Sequence, residues 1–426
     1  MDYTVDEVLR FVEENDVKFI KLSFYNAFGM LKNVSILSSE LPKVFEKGLS
    51  FYMELGNANG SQRVRELFLR PESGSLNVLP WRPMEGSVAR LLCDIVDETG
   101  APFAGDCRYI LKQAVRTFSD LGYTCTMGPQ CEFYLFQTDT QGNPTQLPQD
   151  NAGYLDAFPA DKGENVRRDI CLTLEQMSID PESSHHERGP GQNEIDFKRS
   201  DVLRAADNLT TFKSVVKSIA ERNGLYASFM PKPLADQCSS GMHIDVSVFS
   251  QKQNIFKGQN GALSEKAEAF IAGVAKHLKE IALFTNPYAN SYERIAEFPS
   301  LKLKTRDGSF NPSILKIPFA AANNARINFC SPDASCNHYL TLALLLYAGM
   351  DGLQNNLKIS DFESMDLIPL QLDEAMAAAK ESPFIQKYIP RVVLDDYLHV
   401  KQREWHAYQK SNDSKAALHQ TIFYYV

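Results

Sequence analysis

The sequence lacks several patterns that would indicate a class of function directly. Its 426 residues contain neither a Gly-x-Gly-x-x-Gly loop nor a Walker loop, so neither a Rossmann nor a P-loop nucleotide site is predicted. It has no basic run and its net charge is -9, which argues against a nucleic-acid partner. The longest apolar stretch, residues 339–350, is too short to span a bilayer, so no membrane partner is predicted.

Cysteine pairs with metal-site or redox spacing are also missing. The eight cysteines are scattered, and no two of them form a Cys-x-x-Cys pair. The first ten residues are polar and acidic and do not resemble a signal peptide. Scattered cysteines in a long chain without a signal peptide are typical of reduced thiols, so we expect a cytoplasmic protein.

The patterns that are present predict two successive units. A helix is predicted over residues 2–15, and alternating apolar and polar residues predict strands at 19–24, 31–37 and 90–96. This small α+β unit ends near Gly105. Strands and longer helices alternate after it, with helices predicted at 107–121, 164–177, 206–223, 264–283 and 337–349.

Four predicted strands of the second unit each have one polar face, because side chains alternate along a strand. The residues that share a face are Gln130 with Glu132, Glu194 with Asp196, His243 with Asp245 and Ser247, and Arg326 with Asn328 and Cys330. An antiparallel sheet with its polar face in water would explain such strands. A second interpretation is a site for Mg²⁺ or Mn²⁺, since carboxylates suit these ions, with Glu132, Glu187, Glu194 and His243 as ligands. The strand pattern alone leaves both open.

Several longer segments carry a family resemblance. Residues 185–197 contain His-His-Glu followed by Gly-Gln-Asn-Glu, and residues 286–294 read Asn-Pro-Tyr-Ala-Asn-Ser-Tyr-Glu-Arg. Together with Phe-Met-Pro-Lys-Pro-Leu at 229–234 and Ser-Gly-Met-His at 240–243, they resemble signatures of the glutamine synthetase family. Further segments match in the same order, at 78–83, 166–169, 204–208, 351–352 and 397–405.

The resemblance implies an α+β fold with two domains. Residues 1–104 would form an N-terminal β-grasp-like domain. Residues 105–426 would form the catalytic domain, in which antiparallel strands make an open half-barrel surrounded by helices. In this family the neighbouring subunit completes the half-barrel, so we expect a homo-oligomeric ring, a dodecamer or a hexamer. The family binds two metal ions, phosphorylates the γ-carboxylate of glutamate with ATP, and lets ammonia displace the phosphate.

The first metal site of the family is retained. Its three glutamates correspond to Glu132, Glu187 and Glu194. Three carboxylates are a credible ligand set for one Mg²⁺ or Mn²⁺ ion.

The second metal site is not retained. Gln130 and Asn328 stand where the family has glutamates, and only His243 remains. Neutral amides are weak ligands for Mg²⁺, so we expect one ion unless a phosphorylated ligand brings a second.

The groups that would contact ATP are only partly retained. Ser247 is retained near the nucleotide, Lys316 replaces one phosphate-contacting arginine, and Arg326 preserves another. Two other arginines correspond to Pro312 and Cys330, so ATP is a candidate ligand whose phosphate clamp is weakened. For Cys330, a buried inert thiol is favoured over a nucleophile.

The ammonia site does not match the family. Tyr52 stands where an acid binds ammonium, although Glu66 preserves a second acid. Ser300 stands where the catalytic loop has a glutamate, and Glu297 is the nearest substitute. Without an acid at these positions, ammonium would lose the base that deprotonates it.

The substrate contacts are mixed. Arg294 would hold the α-carboxylate of glutamate, so Arg294, Arg326 and Glu297 are the predicted catalytic residues. Cys238 and Ser239 replace the Asn-Gly pair that holds the amino group, and Asp245 replaces a polar position near the nucleotide.

Three functions remain open. The first, which we place ahead, is an ATP-dependent ligase that joins a small-molecule carboxylate to an amine bulkier than ammonia, as γ-glutamyl-amine ligases do. The second is a one-metal enzyme that does not use ATP, a hydrolase or lyase acting on an amide or amine. The third is an inactive binding protein. The retained metal glutamates argue against this third function, because a cluster of buried like charges without a use would destabilise the fold.

Overall fold

The computed structural model describes residues 3–56, 62–82, 85–258, 263–298, 314–316, 325–362, 368–410 and 412–426. Within these residues the chain is a mixed α+β protein with two sheets, as predicted. In the part of the chain so described, no helix is long and apolar enough to cross a membrane.

The first sheet is built from the N-terminal part of the chain. Its elements are α1 (Val5–Glu14), β1 (Val17–Tyr25), β2 (Leu31–Leu37), α2 (Leu41–Lys47), β3 (Leu49–Gly56), β4 (Gln62–Pro71), β5 (Asn77–Val78) and β6 (Ser87–Val96). The strand order is β2-β1-β6-β4-β3, with β5 also paired to β6. The β1–β6 pair is parallel and the other pairs are antiparallel, in agreement with the predicted β-grasp-like unit.

The second sheet contains the predicted polar strands. Its elements and the helices around it are α3 (Cys107–Asp120), β7 (Tyr123–Thr138), β8 (Pro144–Pro148), α4 (Glu164–Gln176), β9 (Pro181–His186), β10 (Gln192–Phe197), β11 (Ser200–Asp201), α5 (Val202–Arg222), β12 (Leu225–Ser228), β13 (Met242–Ser250), β14 (Gln253–Asn254), α6 (Glu265–Thr285), α7 (Ala289–Ile295), β15 (Leu315–Lys316), β16 (Ile327–Phe329), α8 (His338–Asn355), α9 (Leu372–Glu381), α10 (Pro383–Tyr388), α11 (Arg391–Lys410) and α12 (Asn412–Tyr425). The antiparallel order β15-β16-β13-β7-β10-β9 curls into a half-barrel, which confirms the predicted fold class.

Two long helices, α6 and α8, pack closely behind the half-barrel. Nearly every residue of α8 is buried, so the long apolar stretch noted in the sequence is a core helix. Gly273 and Gly352 lie where the two helices meet. A Cβ added to Gly352 would lie 1.9 Å from the Ala269 carbonyl oxygen, so this close approach requires glycine.

The turn between β1 and β2 contacts the second sheet's helices. The Asn337 side chain caps α8 with its oxygen, while its nitrogen donates to the carbonyls of Asn26 at 3.0 Å and Ala27 at 3.1 Å. Next to this turn, the Phe28 ring stacks on Tyr397 of α11 with the ring centroids 5.3 Å apart. One amide therefore both begins a core helix and holds the N-terminal sheet against it.

Most predicted elements are present, but their ends differ. The helix predicted over 206–223 begins earlier, at Val202, because the Asp201 carboxylate accepts from the Arg204 backbone N–H at 3.1 Å and caps it there. The hairpin of β3 and β4 and the helices after residue 370 were not predicted. The domain boundary between residues 104 and 105 stays a prediction.

Candidate active site

A cavity of about 360 Å³ opens within the half-barrel and contains most of the predicted site residues. It is lined by Glu132, Tyr154, Glu187, Arg188, Gln192, Glu194, Cys238, Ser239, Gly241, His243, Arg294, Glu297, Phe298, Lys316 and Cys330. Seven of the nine predicted site residues are in this lining, and the other two are Ser247 and Arg326.

Strand pairing brings the three predicted metal glutamates together. Glu132 on β7 lies directly opposite Glu194 on β10, and Glu187 directly follows β9, which pairs with β10. Nε2 of His185 lies 2.9 Å from a Glu187 carboxylate oxygen and 3.7 Å from one of Glu194. One ligand atom each from His185, Glu187 and Glu194 lies within 4.8 Å of the other two, which is the spacing of atoms around one ion.

Burial of these acids perturbs their protonation. Burial and the nearby Glu187 raise the pKa of Glu132 to about 7. The pKa of Glu194 is raised well above its ordinary value, first by burial and then by Glu132. Burial also acts on Glu187, but hydrogen bonds from His185 and Glu194 outweigh it and lower its pKa. A divalent cation would relieve this crowding, and oxygen donors suit Mg²⁺ or Mn²⁺, so the residues fit one such ion.

His243 is the fourth predicted metal ligand. Its Nε2 lies 4.0 Å from a Glu132 carboxylate oxygen. Burial, with Lys316 and Arg294 nearby, lowers the pKa of His243 to about 3. The imidazole is therefore neutral at physiological pH, which is the protonation state a metal ligand needs.

Two further side chains hold the metal glutamates in place, and the sequence analysis assigned them no role. The Gln192 amide donates to Glu132 at 2.9 Å. The buried His186 ring contacts the Glu187 carbonyl through Nδ1 at 2.7 Å and the Asp150 carboxylate through Nε2 at 2.9 Å. Asp150 lies 36 residues from His186, so local sequence patterns could not reveal the pair. The only available signal was the position of His186 beside Glu187 in the His-His-Glu segment.

The residues of the replaced second metal site bond to one another. The Asn328 amide donates to Asp245 at 2.9 Å and to Gln130 at 3.4 Å. Nε of Arg326 lies 2.5 Å from the other Asp245 carboxylate oxygen. The Cys330 thiol donates to the Asn328 side-chain oxygen at 2.8 Å. This donor set of two amides, a histidine and an already paired carboxylate does not fit a second Mg²⁺ ion.

Cys330 is buried at the edge of this group. Its residue exposure is 1%, and burial raises the pKa of its thiol to about 12. Because the thiolate is the reactive form, these surroundings favour an inert cysteine over a nucleophile.

Arg294 is buried under the cavity floor. Its two terminal nitrogens donate to the carbonyls of Cys330 at 2.6 Å and Ser331 at 2.8 Å, and its guanidinium lies over the Phe298 ring. A Cβ added to Gly241 would lie 2.8 Å from Arg294, so the glycine leaves room for it. Its role toward a substrate carboxylate stays a prediction.

Two more predicted residues are held by neighbouring side chains and carbonyls. Glu297 is paired with Lys232, whose ammonium also donates to the Gln237 carbonyl at 2.6 Å. Ser247 accepts from Arg199 at 2.8 Å and donates to the Ala325 carbonyl at 3.1 Å.

One position of the predicted ammonia site is absent from the lining of this cavity. Tyr52 projects from β3, opposite Glu66 of β4, and is 72% exposed. Ser300 and Pro312 lie outside the described residues, so the predictions made for them stay predictions.

Comparison with known proteins agrees with this architecture. The family profile described as glutamine synthetase, catalytic domain, matches residues 104–417. The chain belongs to the glutamine synthetase family. A glutamine synthetase of Clostridium saccharobutylicum is 42% identical over 434 residues, covering 96% of each protein. A glutamine synthetase of Methanosarcina mazei is 39% identical over 426 residues, covering 95% of each.

Solved structures of the family are similar over nearly the whole chain. The ligand-free form of GmaS has a TM-score of 0.83 at 26% identity, covering 96% of this chain and 98% of that one. A glutamine synthetase of Plasmodium falciparum has a TM-score of 0.84 at 21% identity, covering 98% of both chains. At that identity the second similarity supports the fold alone.

Proposed function

We propose that this member of the glutamine synthetase family is an ATP-dependent carboxylate–amine ligase of the γ-glutamyl-amine type, whose amine is not ammonia. The observation that carries the proposal is a cavity that retains the acidic cation site but not the ammonium site. The three glutamates that the family resemblance assigns to a metal line this cavity. The same resemblance puts Tyr52, which lies opposite Glu66 on the β3–β4 hairpin, at the position of the ammonium-binding acid. A ligase for a larger amine still needs the cation site, but it does not need the acid that binds ammonium.

One divalent cation is assigned to this cavity. Glu132, Glu187 and Glu194 would hold Mg²⁺ or Mn²⁺, with the neutral imidazole of His243 nearby. The ion would supply charge neutralisation for an anionic substrate group. The chain's own acids cannot do this, because they repel an anion unless they are protonated or bound to metal.

The substrates would bind around the ion. Arg294 and Lys316 line the cavity and are assigned to the carboxylate and to a nucleotide phosphate, respectively, with Ser247 and Arg326 near the nucleotide. Glu297 is the carboxylate placed to accept a proton from the amine, and its ion pair with Lys232 fixes its position.

The amine pocket would be completed by a neighbouring subunit in a ring, a dodecamer or a hexamer. Tyr52 and Val64 on the β3–β4 hairpin are 72% and 62% exposed, and large exposed apolar side chains on one hairpin favour an interface. Tyr52 of the partner would then present an aromatic ring where ammonium requires a carboxylate, which favours an amine with an apolar part.

One observation favours a second candidate, an enzyme that uses one cation and no ATP. Arg326, which would face phosphate, is paired with Asp245, and the second cation position consists of neutral amides. Such a cavity could hydrolyse or cleave a γ-glutamyl amide, because that reaction transfers no phosphoryl group.

Phosphate release separates these functions. The protein is assayed with ATP, Mg²⁺ or Mn²⁺, glutamate, and either ammonia or a panel of alkyl, hydroxyalkyl and aromatic amines. We expect turnover with one class of amine and at least about 100-fold less with ammonia, the loss typical of removing one well-placed charged group. Robust turnover with ammonia would refute the proposed amine specificity. Cleavage of γ-glutamyl amides without ATP would support the second candidate, and the Glu194→Gln variant controls for phosphatase contamination.

A further inference from the structure

Four positions at which the chain departs from its family are joined to each other. Asn328 is bonded to Gln130, Asp245 and Cys330. These residues come from three neighbouring strands: β7, β13, and β16 with the residue that follows it. Asp245 and Asn328 are paired across β13 and β16, which places their side chains on the same face of the sheet. The replacements therefore form one connected group.

Asp245 is the only acid of this group, and both of its oxygens have partners. One oxygen accepts from the Asn328 amide at 2.9 Å and the other lies 2.5 Å from Nε of Arg326. Asp245 is 8% exposed and Asn328 is 7% exposed, so water screens the negative charge of Asp245 poorly. Arg326 is the arginine that corresponds to a phosphate contact of the family.

A half-buried arginine that already faces a carboxylate is a weaker anion site. An incoming phosphate must compete with Asp245 for the same guanidinium, and the two negative groups repel each other. Lys316 lines the cavity and lies across from Asn328 on the neighbouring strand β15, so it is a second cation near the same group.

We propose that Asp245 is a specificity-determining residue that withholds Arg326 from phosphate, so that Lys316 and the single cation bind the nucleotide phosphates. This inference rests on the proposed function, because it concerns how the same cavity binds a nucleotide. It also explains why the second cation site is lost together with the family's polar residue at position 245. In the Asp245–Arg326 pair, the carboxylate takes the place of the phosphate beside the arginine, and the arginine takes the place of the cation beside the acid.

The test is the affinity for a non-hydrolysable ATP analogue at saturating Mn²⁺, measured by calorimetry. Asp245→Asn should bind it about tenfold more tightly, since hydrogen bonds to charged groups are worth enough to produce such a change. Asp245→Glu should keep the low affinity, because it retains the carboxylate. Asp180→Asn is the matched control, since it removes an acid from a surface pair with Lys198 and should leave the affinity unchanged.

A double-mutant cycle assigns the gain to Arg326. The Arg326→Met substitution should weaken binding about tenfold more in the Asp245→Asn background than in the unmodified protein. No gain from Asp245→Asn, or an equal effect of Arg326→Met in both backgrounds, would overturn the inference. Asp245→Ser provides a second variant if Asp245→Asn does not fold, as checked by thermal unfolding.

The same series distinguishes this inference from the proposed function. If the unmodified protein binds no analogue but Asp245→Asn gains binding that depends on Arg326, the role of Asp245 is supported and the ATP-dependent ligase is refuted. If the unmodified protein turns over ATP with an amine and Asp245→Asn gains no affinity, the ligase stands and the role of Asp245 is refuted.

Discussion

The two halves of the polar face of the half-barrel balance charge in opposite ways; the acidic half lines the cavity, and the amide half meets it at Cys330. In the acidic half, formed by Glu132, Glu187 and Glu194, buried carboxylates lie together and burial raises the pKa of two of them. In the amide half, formed by Gln130, Asn328, Asp245 and Cys330, hydrogen bonds and the Arg326 pair leave no excess charge. Crowded acids are costly unless a cation joins them, whereas the amide half is complete without one. Under the proposed function, this difference would allow one cation site to be kept while the other is lost.

The largest effect is expected from making the acidic half resemble the amide half. Glu194→Gln removes a charged ligand and should weaken Mn²⁺ binding by more than the 10–100-fold typical of outer-shell partners. The same change should stabilise the metal-free protein at pH values where Glu194 would otherwise ionise, because a neutral amide is not repelled by Glu132. Calorimetry and thermal unfolding measure the two effects, with the exposed Glu182→Gln on β9 as control. Unaltered Mn²⁺ affinity would show that the ion binds elsewhere.

A smaller loss is expected when the support of the acidic half is removed. Asp150→Asn removes the negative charge from the contact with His186, which holds the Glu187 carbonyl, so Mn²⁺ affinity should fall about 10–100-fold. His186→Gln should give the same loss, and the double variant should lose little more, since the two residues act together. The control is Asp169→Asn, since the Asp169 side chain is half-exposed and pairs with Arg168 on the surface. A lower unfolding temperature with unchanged Mn²⁺ affinity would mean that the pair supports only the fold.

The acidic half should also respond to pH, unlike the amide half. Because the pKa of Glu132 is raised to about 7, Mn²⁺ must displace a proton below that pH. Affinity should therefore rise up to about tenfold per proton for each pH unit below 7 and level off above it. Metal-free stability should change in the other direction. A raised carboxyl pKa stabilises the fold at low pH, and this contribution is lost as pH rises through about 7.

Calorimetry in buffers of different ionisation enthalpy would detect the released protons directly. Glu132→Gln should remove much of the pH dependence along with most of the affinity. A pH-independent affinity between pH 6 and 8 would contradict the prediction.

The smallest effect is expected in the amide half. Cys330→Ser keeps a donor for the Asn328 oxygen, so Mn²⁺ affinity should change by less than about threefold. The buried thiol, whose pKa burial raises to about 12, should also resist iodoacetamide, whereas the exposed Cys238 should react. Mass spectrometry of the labelled peptides tests this, with Cys238→Ser as control. Rapid labelling of Cys330 would reopen its interpretation as a nucleophile.

The sequence predicted the acidic half better than the amide half for a physical reason. Strand alternation and the family's ordered segments were enough to bring together Glu132 and Glu194, which the register places opposite each other. Strand alternation and the family's segments could not predict which residues of the amide half bond to one another. Arg326 and Asp245 are far apart in sequence, and their contact depends on how β16 aligns with β13. The sequence showed that acids were missing there, but not that their replacements bond to one another.

The fold shows the same limit. Helices with regular apolar spacing, such as α3 and α6, were predicted nearly to their ends. The β3–β4 hairpin was not predicted. β3 forms the edge of the sheet, and Leu49, Phe51 and Met53, which alternate along it, are only partly buried. Edge strands depend on their partner more than on their own pattern.

The double role of Asn337 has a consequence for how the chain can be divided. The same side chain caps α8 and bonds the turn at Asn26 and Ala27, and Phe28 stacks on α11 beside it. Losing the N-terminal sheet would therefore uncover apolar surface and weaken the start of a core helix at once. The two sheets are not interchangeable modules, and a fragment cut between them would lose cooperativity in both parts rather than yield a self-sufficient catalytic domain.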